Sequence, residues 1–288
     1  MATRKATKAT APKANKAKAP KAKKVYTAAD IIFDLSKLDP ELRKDIEENW
    51  CHLFAKFPER LIRIESDAKT IKGEKIGFMT AILYMAPHAI SGQNLCALAL
   101  LARCADPCLN LSGRGTFDVN QMARLRKALY WIQYRERFLK QLHKEIRLAK
   151  AQAERQGFIL LVRLNGTTDI LWERYGVPQA HADIQFYDYT KIPNRNVPAN
   201  YDLTFSYSGV PQFAPFVRRA IEKHMRIAVV FRSRAAVEHY LTSGETFMGM
   251  PVVDGDDTDV RHLDPQAAVV ALYAKGKAIT DQSGFVVG

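Results

Sequence analysis

The stretch Phe158-Ile-Leu-Leu-Val-Arg-Leu-Asn-Gly-Thr-Thr-Asp169 decides the fold class. Its first seven residues are apolar except for Arg163, and the five that follow are polar or glycine. A short apolar run of this kind is typical of a strand buried on both faces, as the strands of parallel sheets are. We therefore predict a strand over 158–164 that ends in a polar loop.

The same unit, an apolar run followed by polar residues, recurs along the chain. Strands are predicted at 75–85, 184–187, 201–205, 226–231, 251–253 and 268–273, and helices near 215–223 and 235–240. Alternation of strands and helices is typical of parallel pairing. The expected fold is α/β, with a single (β/α) barrel-like domain, closed or partly open, of six or seven mainly parallel strands. A doubly wound sheet is the alternative.

Three regions of the chain differ in composition. Residues 1–25 are rich in lysine and alanine, and we predict a disordered basic tail because they cannot bury enough apolar surface to offset their ordering entropy. Residues 26–66 predict a helical lead-in, and residues 67–288 the barrel-like domain. Within that domain, apolar residues at three- and four-residue steps predict a long helix over 118–156, with a bend or a break.

Positive charge is concentrated near the amino terminus. The formal net charge is +13, and residues 1–24 carry nine Lys or Arg and no acidic residue. Such a segment attracts polyanions, and counterion release from phosphates makes the binding weaken with salt. We expect nucleic acid as a partner, through the tail and a basic face of the long helix. A solubilising tail and a solvated helix face are the alternatives.

The sequence predicts neither a membrane span nor a secretory signal. No stretch approaches eighteen consecutive apolar residues, and no apolar segment follows the amino-terminal charges. The expected protein is intracellular and has no membrane partner.

Three of the four cysteines lie together in the loop 92–115. Cys96, Cys104 and Cys108 follow the first strong strand, separated by seven and three residues. Thiolates bind soft or borderline metals, so three of them suit three irons of a 4Fe-4S cluster or three positions of a tetrahedral zinc ion. The spacing differs from the common CxxC pairs of zinc sites. Burial as small hydrophobic side chains is the alternative.

Polar residues follow each predicted strand, and in parallel α/β folds these carboxyl ends share one face. Three are predicted to be catalytic: Asp169, Asp188 and Lys191. Others are predicted to bind a cofactor: Asn165, Gly166, Thr167, Ser206 and, in the cysteine loop, Arg114. The acidic run 254–259 is a candidate Mg²⁺ site. We expect the three thiols to converge facing Asn165, Asp169 and Asp188, although turns and caps are the alternative for any one residue.

Several motifs occur in one order along the chain. They are Gly77-Phe-Met-Thr-Ala-Ile-Leu-Tyr-Met-Ala-Pro87, Ser91-Gly92, Asn94-Leu-Cys96, Cys104-x3-Cys108-Leu-Asn-Leu-Ser-Gly-Arg-Gly115, Arg163-Leu-Asn-Gly-Thr-Thr-Asp169, Phe186-Tyr-Asp-Tyr-Thr-Lys191, Tyr201-Asp-Leu-Thr-Phe-Ser206 and Pro251-Val-Val-Asp-Gly-Asp-Asp-Thr-Asp259. Together they resemble the gene product 88 family of bacteriophages, from about residue 70 to the carboxyl terminus. The resemblance implies a phage origin, and hence the cytoplasm of an infected bacterial host, but it brings no reaction with it.

A more distant likeness is to the radical S-adenosylmethionine enzymes. In those enzymes three cluster cysteines follow the first strand of a (β/α)6 barrel, and a glycine-containing motif follows the second, where this chain has Asn165-Gly166. The likeness implies a 4Fe-4S cluster and S-adenosylmethionine. The usual spacing there is Cys-x3-Cys-x2-Cys, which this chain does not have.

Three functions are compatible with these features. The first is an enzyme with a cysteine-ligated metal or iron–sulfur site that acts on nucleic acid or nucleotides. The second is a metal-dependent nuclease or replication protein with Mg²⁺ at 254–259. The third is a non-enzymatic nucleic-acid-binding protein with a structural metal. We favour the first because the clustered cysteines are the most specific motif in the chain.

Overall fold

The computed structural model describes residues 24–64, 73–108, 110 and 113–288, except for the Arg114 side chain. The predicted basic tail therefore lies outside the described residues apart from its last two positions. Within the described part of the chain, no helix combines the length and the apolar character needed to cross a membrane.

An eight-stranded sheet forms the centre of the protein. Its strands are β1 (Ile62–Arg63), β2 (Phe78–Leu83), β3 (Ile159–Arg163), β4 (Gln185–Thr190), β5 (Tyr201–Ser206), β6 (Ile227–Phe231), β7 (Val252–Asp254) and β8 (Val269–Tyr273). They are ordered β1-β2-β3-β4-β5-β6-β8-β7. β1 is antiparallel to β2, and the other six pairs are parallel. The prediction of an α/β fold with mainly parallel strands is confirmed, but the sheet has eight strands rather than the six or seven predicted.

The sheet is open, so the predicted barrel is not the observed architecture. From β2 to β6 the strands follow chain order, as they would in a barrel. To close such a barrel, β8 would have to pair with β2. Each of these two strands instead pairs with an additional strand on that side. The two-residue β1 pairs with β2, and β7 lies beyond β8 at the other edge, so the strands that closure would join are covered.

Helices flank the sheet: α1 (Pro40–Asp45), α2 (Cys51–Phe54), α3 (Asp118–Gln133), α4 (Arg135–Arg155), α5 (Ala214–Glu222) and α6 (Arg234–Ser243). The helix predicted over 118–156 is thus two helices. They meet at Tyr134, whose φ of −135° and ψ of 47° are not helical. The Tyr134 hydroxyl donates to the Ile32 carbonyl (2.7 Å) and its ring contacts Phe33 and Phe57 edge-on. Packing against the lead-in therefore accompanies the break.

The two faces of the sheet are covered differently. Alternate side chains of β2 and β3, such as Leu83 and Val162, join the core beneath α3 and α4. On the opposite face, the connection from β7 to β8 crosses the sheet, and its Val260 packs on Leu161 and Tyr187. We call residues 255–264 the crossing segment. Asp259 of this segment pairs with Arg163, the last residue of β3, at 2.9 Å.

Most basic residues of the predicted nucleic-acid face contact the protein itself. The Arg126 guanidinium donates to the Leu53 carbonyl (2.7 Å), and the buried Lys127 ammonium donates to the Leu61 carbonyl (2.6 Å). The Arg135 guanidinium stacks on the Trp131 ring at 4.7 Å. Three basic residues of this face are exposed without such contacts in the described chain: Lys140, Lys144 and Arg147. The surface left for a polyanion is therefore smaller than the sequence predicts.

Candidate cysteine site at the carboxyl edge of the sheet

The cysteine loop is anchored to the loop that follows β3. The Thr167 hydroxyl donates to the Met85 carbonyl (2.5 Å), and the Asp169 N–H donates to the Leu95 carbonyl (2.9 Å). Gly166 makes this contact possible, since a Cβ there would lie 2.7 Å from both the Leu83 oxygen and the Tyr84 ring. The ends of β2 and β3 therefore bring two distant segments together.

Consecutive turns separate the first two cysteines. The Ala99 N–H donates to the Cys96 carbonyl (3.0 Å), and the Cys104 N–H donates to the Ala99 carbonyl (3.0 Å). The Ser208 hydroxyl, just after β5, holds the Ala102 carbonyl at 2.8 Å. Arg103 has a φ of +53°, a left-handed conformation that a non-glycine residue adopts only where its surroundings enforce it. The loop is held in shape at the point where it presents Cys104.

The three thiols lie in one electrostatic environment. Burial is the main cause that raises the pKa of Cys96, to about 12, and the Cys108 and Cys104 thiols raise it further. Burial likewise raises the pKa of Cys104 and of Cys108, and Cys104 adds to the shift at Cys108. All three are free cysteines and only partly accessible. Cys96, Cys104 and Cys108 thus lie near enough for their charges to act on one another.

The Asn110 N–H donates to the Cys108 sulfur at 3.5 Å. The His88 backbone lowers the pKa of Cys96, and the Lys191 ammonium lowers the pKa of Cys104. Cys96 itself donates to the Thr167 carbonyl at 3.7 Å. Donors directed at sulfur favour the thiolate, whereas burial opposes it.

Asp169 lies next to the thiols. Its carboxylate accepts the Thr190 hydroxyl (2.9 Å) and the Lys191 N–H (2.8 Å), and Arg195 pairs with it at 3.4 Å. Burial raises the pKa of Asp169, while the Lys191 N–H and the Arg195 cation lower it. The Asp169 charge in turn raises the pKa values of Cys96 and Cys104.

Lys191 and Ser206 form the opposite side of the site. The Lys191 ammonium donates to the Ser206 hydroxyl (3.0 Å) and carbonyl (3.3 Å), and it lies 4.9 Å from the centre of the Phe285 ring. Its charge lowers the pKa values of Cys104 and Cys108. A buried cation therefore faces the sulfurs, where it would offset negative charge.

Two predicted residues lie elsewhere. The Asn165 side chain binds the Thr168 hydroxyl, both backbone groups of Ile170 and the Trp172 indole, so it shapes its own loop. Asp188 lies within β4, whereas Lys191 follows the end of that strand. It is fully buried, and it accepts the N–H groups of Leu164 and Asn165 and the Tyr201 hydroxyl. Burial raises the pKa of Asp188 to about 6.

Arg114 and the acidic run complete the predicted set. The backbone of Arg114 belongs to a short helical turn, Gly113–Thr116. In the acidic run each paired carboxylate has its own cation: Asp254 with Arg234 (3.0 Å), Asp256 with Lys275 (2.6 Å) and Asp259 with Arg163 (2.9 Å). These side chains are engaged separately rather than directed at one point.

Sequence reasoning missed a chain of buried ion pairs behind the site. The Arg195 side chain is 1% exposed and links Asp169 to Glu173 (2.6 Å) and to the Tyr201 hydroxyl (3.2 Å). Arg163, which stacks on the Tyr189 ring at 4.8 Å, lies beneath the carboxyl edge. In the sequence, the available indication of these ion pairs was Arg163, a charged residue inside an apolar strand. The contacts of Arg195 join loops after β3 and β4, which no local spacing reveals.

The described residues contain no set of three or more His, Cys, Asp or Glu side chains arranged to hold a metal ion. The three thiols are thus close enough to shift one another's pKa values without meeting at the position of one ion. What the arrangement offers is three sulfurs, one carboxylate and one ammonium at the carboxyl edge of parallel strands, where ligands of open α/β sheets bind.

Comparisons with known proteins give one match. A family model described as Gene product 88 matches residues 53–287, more than four fifths of the chain, and begins earlier than the motifs suggest. No curated protein and no solved structure matches. The likeness to the radical S-adenosylmethionine enzymes has no support from these comparisons. The match does confirm the family resemblance, and the chain belongs to the gene product 88 family.

Proposed function

We propose that this protein is an enzyme whose Cys96, Cys104 and Cys108 bind an iron–sulfur cluster, and that it acts on nucleic acid or nucleotides in the cytoplasm of an infected bacterium. The observation that carries the proposal is that the three thiols lie within electrostatic range of one another and of Asp169 and Lys191. A structural role as three small apolar side chains does not account for a carboxylate and an ammonium beside them.

The residues fit a cluster better than a single zinc ion. Thiolates on one tetrahedral zinc lie about 3.8 Å apart, as follows from Zn–S bonds of ~2.3 Å. In a 4Fe-4S cluster each cysteine binds a different iron, so its sulfurs do not need to meet at one ion. Hydrogen bonds to cluster sulfurs are a known means of tuning potential, and the Asn110 N–H donates to the Cys108 sulfur at 3.5 Å.

The chain's own side chains have distinct tasks in this proposal. Lys191 holds its ammonium between Ser206 and the sulfurs, so it offsets the negative charge of the thiolates. Asp169, fixed by Thr190 and Arg195, is an acceptor that can orient a hydroxyl or ammonium group of a bound molecule. A cluster with one open iron would supply an electron to a co-substrate, for which we propose S-adenosylmethionine. The loop after β3 is shaped by Asn165 and Gly166, and it is held to β4 by Asp188.

Nucleic acid is the proposed partner mainly through the tail. Residues 1–24 carry nine basic residues, whereas most basic side chains of α3 and α4 contact the protein. The nuclease alternative has less support, because the carboxylates of the acidic run are paired with separate cations.

The test is anaerobic reconstitution with iron and sulfide, followed by chemical analysis of both. We expect about four irons and four sulfides per chain in the wild type and a large loss of both in Cys96→Ser, Cys104→Ser and Cys108→Ser. Cys51→Ser is the matched control, since Cys51 is a buried free cysteine whose thiol donates to the Glu47 carbonyl in the lead-in. A wild-type protein that retains zinc and no iron, or variants that bind as much iron as the wild type, would contradict the proposal.

A further inference from the structure

A cavity lies at the amino-terminal edge of the sheet, opposite the cysteine site. Its volume is about 450 Å³, within the usual range for small-molecule sites. It is bounded by the loop 193–199 and the starts of β4 and β5, together with Met225 and Gln266, which precede β6 and β8. None of these wall residues belongs to the cysteine loop.

The walls of the cavity combine apolar side chains with polar ones. Pro193 and Pro198 come from the loop, and Leu203 and Met225 come from the sheet side. Prolines offer a rigid ring and no N–H group, so these walls suit the faces of a planar ring better than they suit a polar chain.

The polar groups of the cavity are cationic or neutral. Asp202 is engaged by the Arg226 guanidinium (2.6 Å) and Gln266 (3.3 Å), so its negative charge is offset. Lys223 is exposed at the rim, with no carboxylate at ion-pair distance within the described chain. His262 Nδ1 is buried and has no hydrogen-bond partner among the described residues. Burial lowers the pKa of His262, so the ring is neutral near pH 7.

We propose that this cavity binds a small planar anion, that is, an aromatic or heterocyclic ring carrying one carboxylate or phosphate group. The prolines, Leu203 and Met225 would enclose the ring, Lys223 would bind the anion, and His262 Nδ1 would gain its missing partner. One ammonium matches one anionic group, whereas a triphosphate needs several cations. Arg195 and Tyr201 also line the cavity, so an occupant would touch the ion pairs that hold Asp169.

The proposal is independent of the cluster and is tested by calorimetric titration of the full chain with adenosine 5′-monophosphate, benzoate and inorganic phosphate. The titrations use about 0.3 M salt, which screens the exposed charges of the basic tail. We expect saturable one-to-one binding of at least one ring-bearing probe and much weaker binding of inorganic phosphate. Lys223→Gln should weaken ring-probe binding about tenfold or more, because it removes a charge-assisted hydrogen bond.

Two further variants make the test specific. Lys144→Gln removes the same charge from an exposed site on α4 and should leave binding unchanged. Ala199→Trp places a large side chain at the exposed loop wall and should block binding while the protein stays folded. The proposal is overturned if neither ring-bearing probe binds, if inorganic phosphate binds as tightly as they do, or if Lys144→Gln weakens binding as much as Lys223→Gln. Repeating the titration with Cys96→Ser separates this result from the fate of the cluster proposal.

Discussion

At the scale of single residues, burial decides which groups of the site carry charge. Burial raises the pKa of Cys96 to about 12 and the pKa of Asp188 to about 6. A buried thiol in this state becomes a ligand only when a metal displaces its proton, so loading of the site should release protons. Asp188 differs from the thiols, because it faces the core and acts on the site through Leu164 and Asn165.

The raised pKa of Asp188 predicts that the free energy of unfolding depends on pH. Its folded pKa of about 6 lies above the ordinary aspartate value of 3.8, so folding favours the protonated form and this contribution to stability increases as pH falls from 7 towards 4. In urea unfolding, the wild type should gain about 1 kcal/mol relative to Asp188→Asn between pH 7 and pH 5. A free-energy difference between the two proteins that does not change with pH would contradict this assignment.

Substitution of Gly166 should destabilise the protein through steric overlap rather than through backbone strain. A Cβ at Gly166 meets the Leu83 oxygen and the Tyr84 ring at 2.7 Å, so Gly166→Ala should lower the free energy of unfolding by about 1–3 kcal/mol. Gly244→Ala is the control, since Gly244 has a φ of +72° and open space around its Cα, and should cost about 1 kcal/mol. Urea unfolding compares the two. If Gly166→Ala lowers the free energy of unfolding less than Gly244→Ala does, the loop after β3 shifts to accommodate the added Cβ, and the prediction is wrong.

At the scale of elements, the crossing segment is the feature that the sequence could not predict. From the sequence alone, its acidic run resembles a cation-binding site. In the structure, its carboxylates form ion pairs with side chains that are distant in sequence, such as Arg163 on β3 and Lys275 after β8. The strands and their parallel pairing were predictable, because apolar runs report burial on both faces. The places of β1 and β7 at the two edges were not predictable, because β1 has two residues and the place of β7 depends on which face its connection crosses.

Breaking the Arg163–Asp259 pair should therefore lower the free energy of unfolding more than breaking an exposed pair of similar length. The Arg163 side chain is 4% exposed, and Asp259→Ala would leave its charge buried without this partner. We expect the free energy of unfolding to fall by about 3–5 kcal/mol, and the double variant Arg163→Leu/Asp259→Ala to recover part of that loss. Glu59→Ala, which breaks the exposed Lys56–Glu59 pair (3.3 Å), should cost less than about 1 kcal/mol. Equal losses for Asp259→Ala and Glu59→Ala in urea unfolding would contradict this account.

At the scale of the whole molecule, two kinds of feature were predictable to different degrees. The mainly parallel α/β fold followed from the repeated strand pattern, and the gathering of cysteines was suggested by their order after β2. The face on which Asp188 lies, the ion pairs of Arg195 and the open sheet depend on the strand register and on contacts between distant loops. The basic helix face was over-predicted, because cationic side chains also stack on rings and bind carbonyls inside a protein.

The tail should account for most of the affinity for nucleic acid. Deletion of residues 1–24 removes nine basic residues, so the slope of log K against log salt should become shallower by about 0.9 for each phosphate that the tail no longer neutralises. Fluorescence anisotropy with a labelled duplex over a series of salt concentrations measures this slope. The triple variant Lys140→Gln/Lys144→Gln/Arg147→Gln should change it less than the deletion does. A slope unaffected by the deletion would assign the affinity to the folded domain.

In the proposed function, Cys96, Cys104 and Cys108 together bind one cluster beside Asp169 and Lys191. Electron paramagnetic resonance of the anaerobically reconstituted and reduced protein detects such a cluster. We expect the signal of a reduced 4Fe-4S cluster in the wild type and in Cys51→Ser, altered by added S-adenosylmethionine. The signal should be lost in each of Cys96→Ser, Cys104→Ser and Cys108→Ser. A wild type without the signal, or a signal that survives all three substitutions, would show that these cysteines do not bind a cluster.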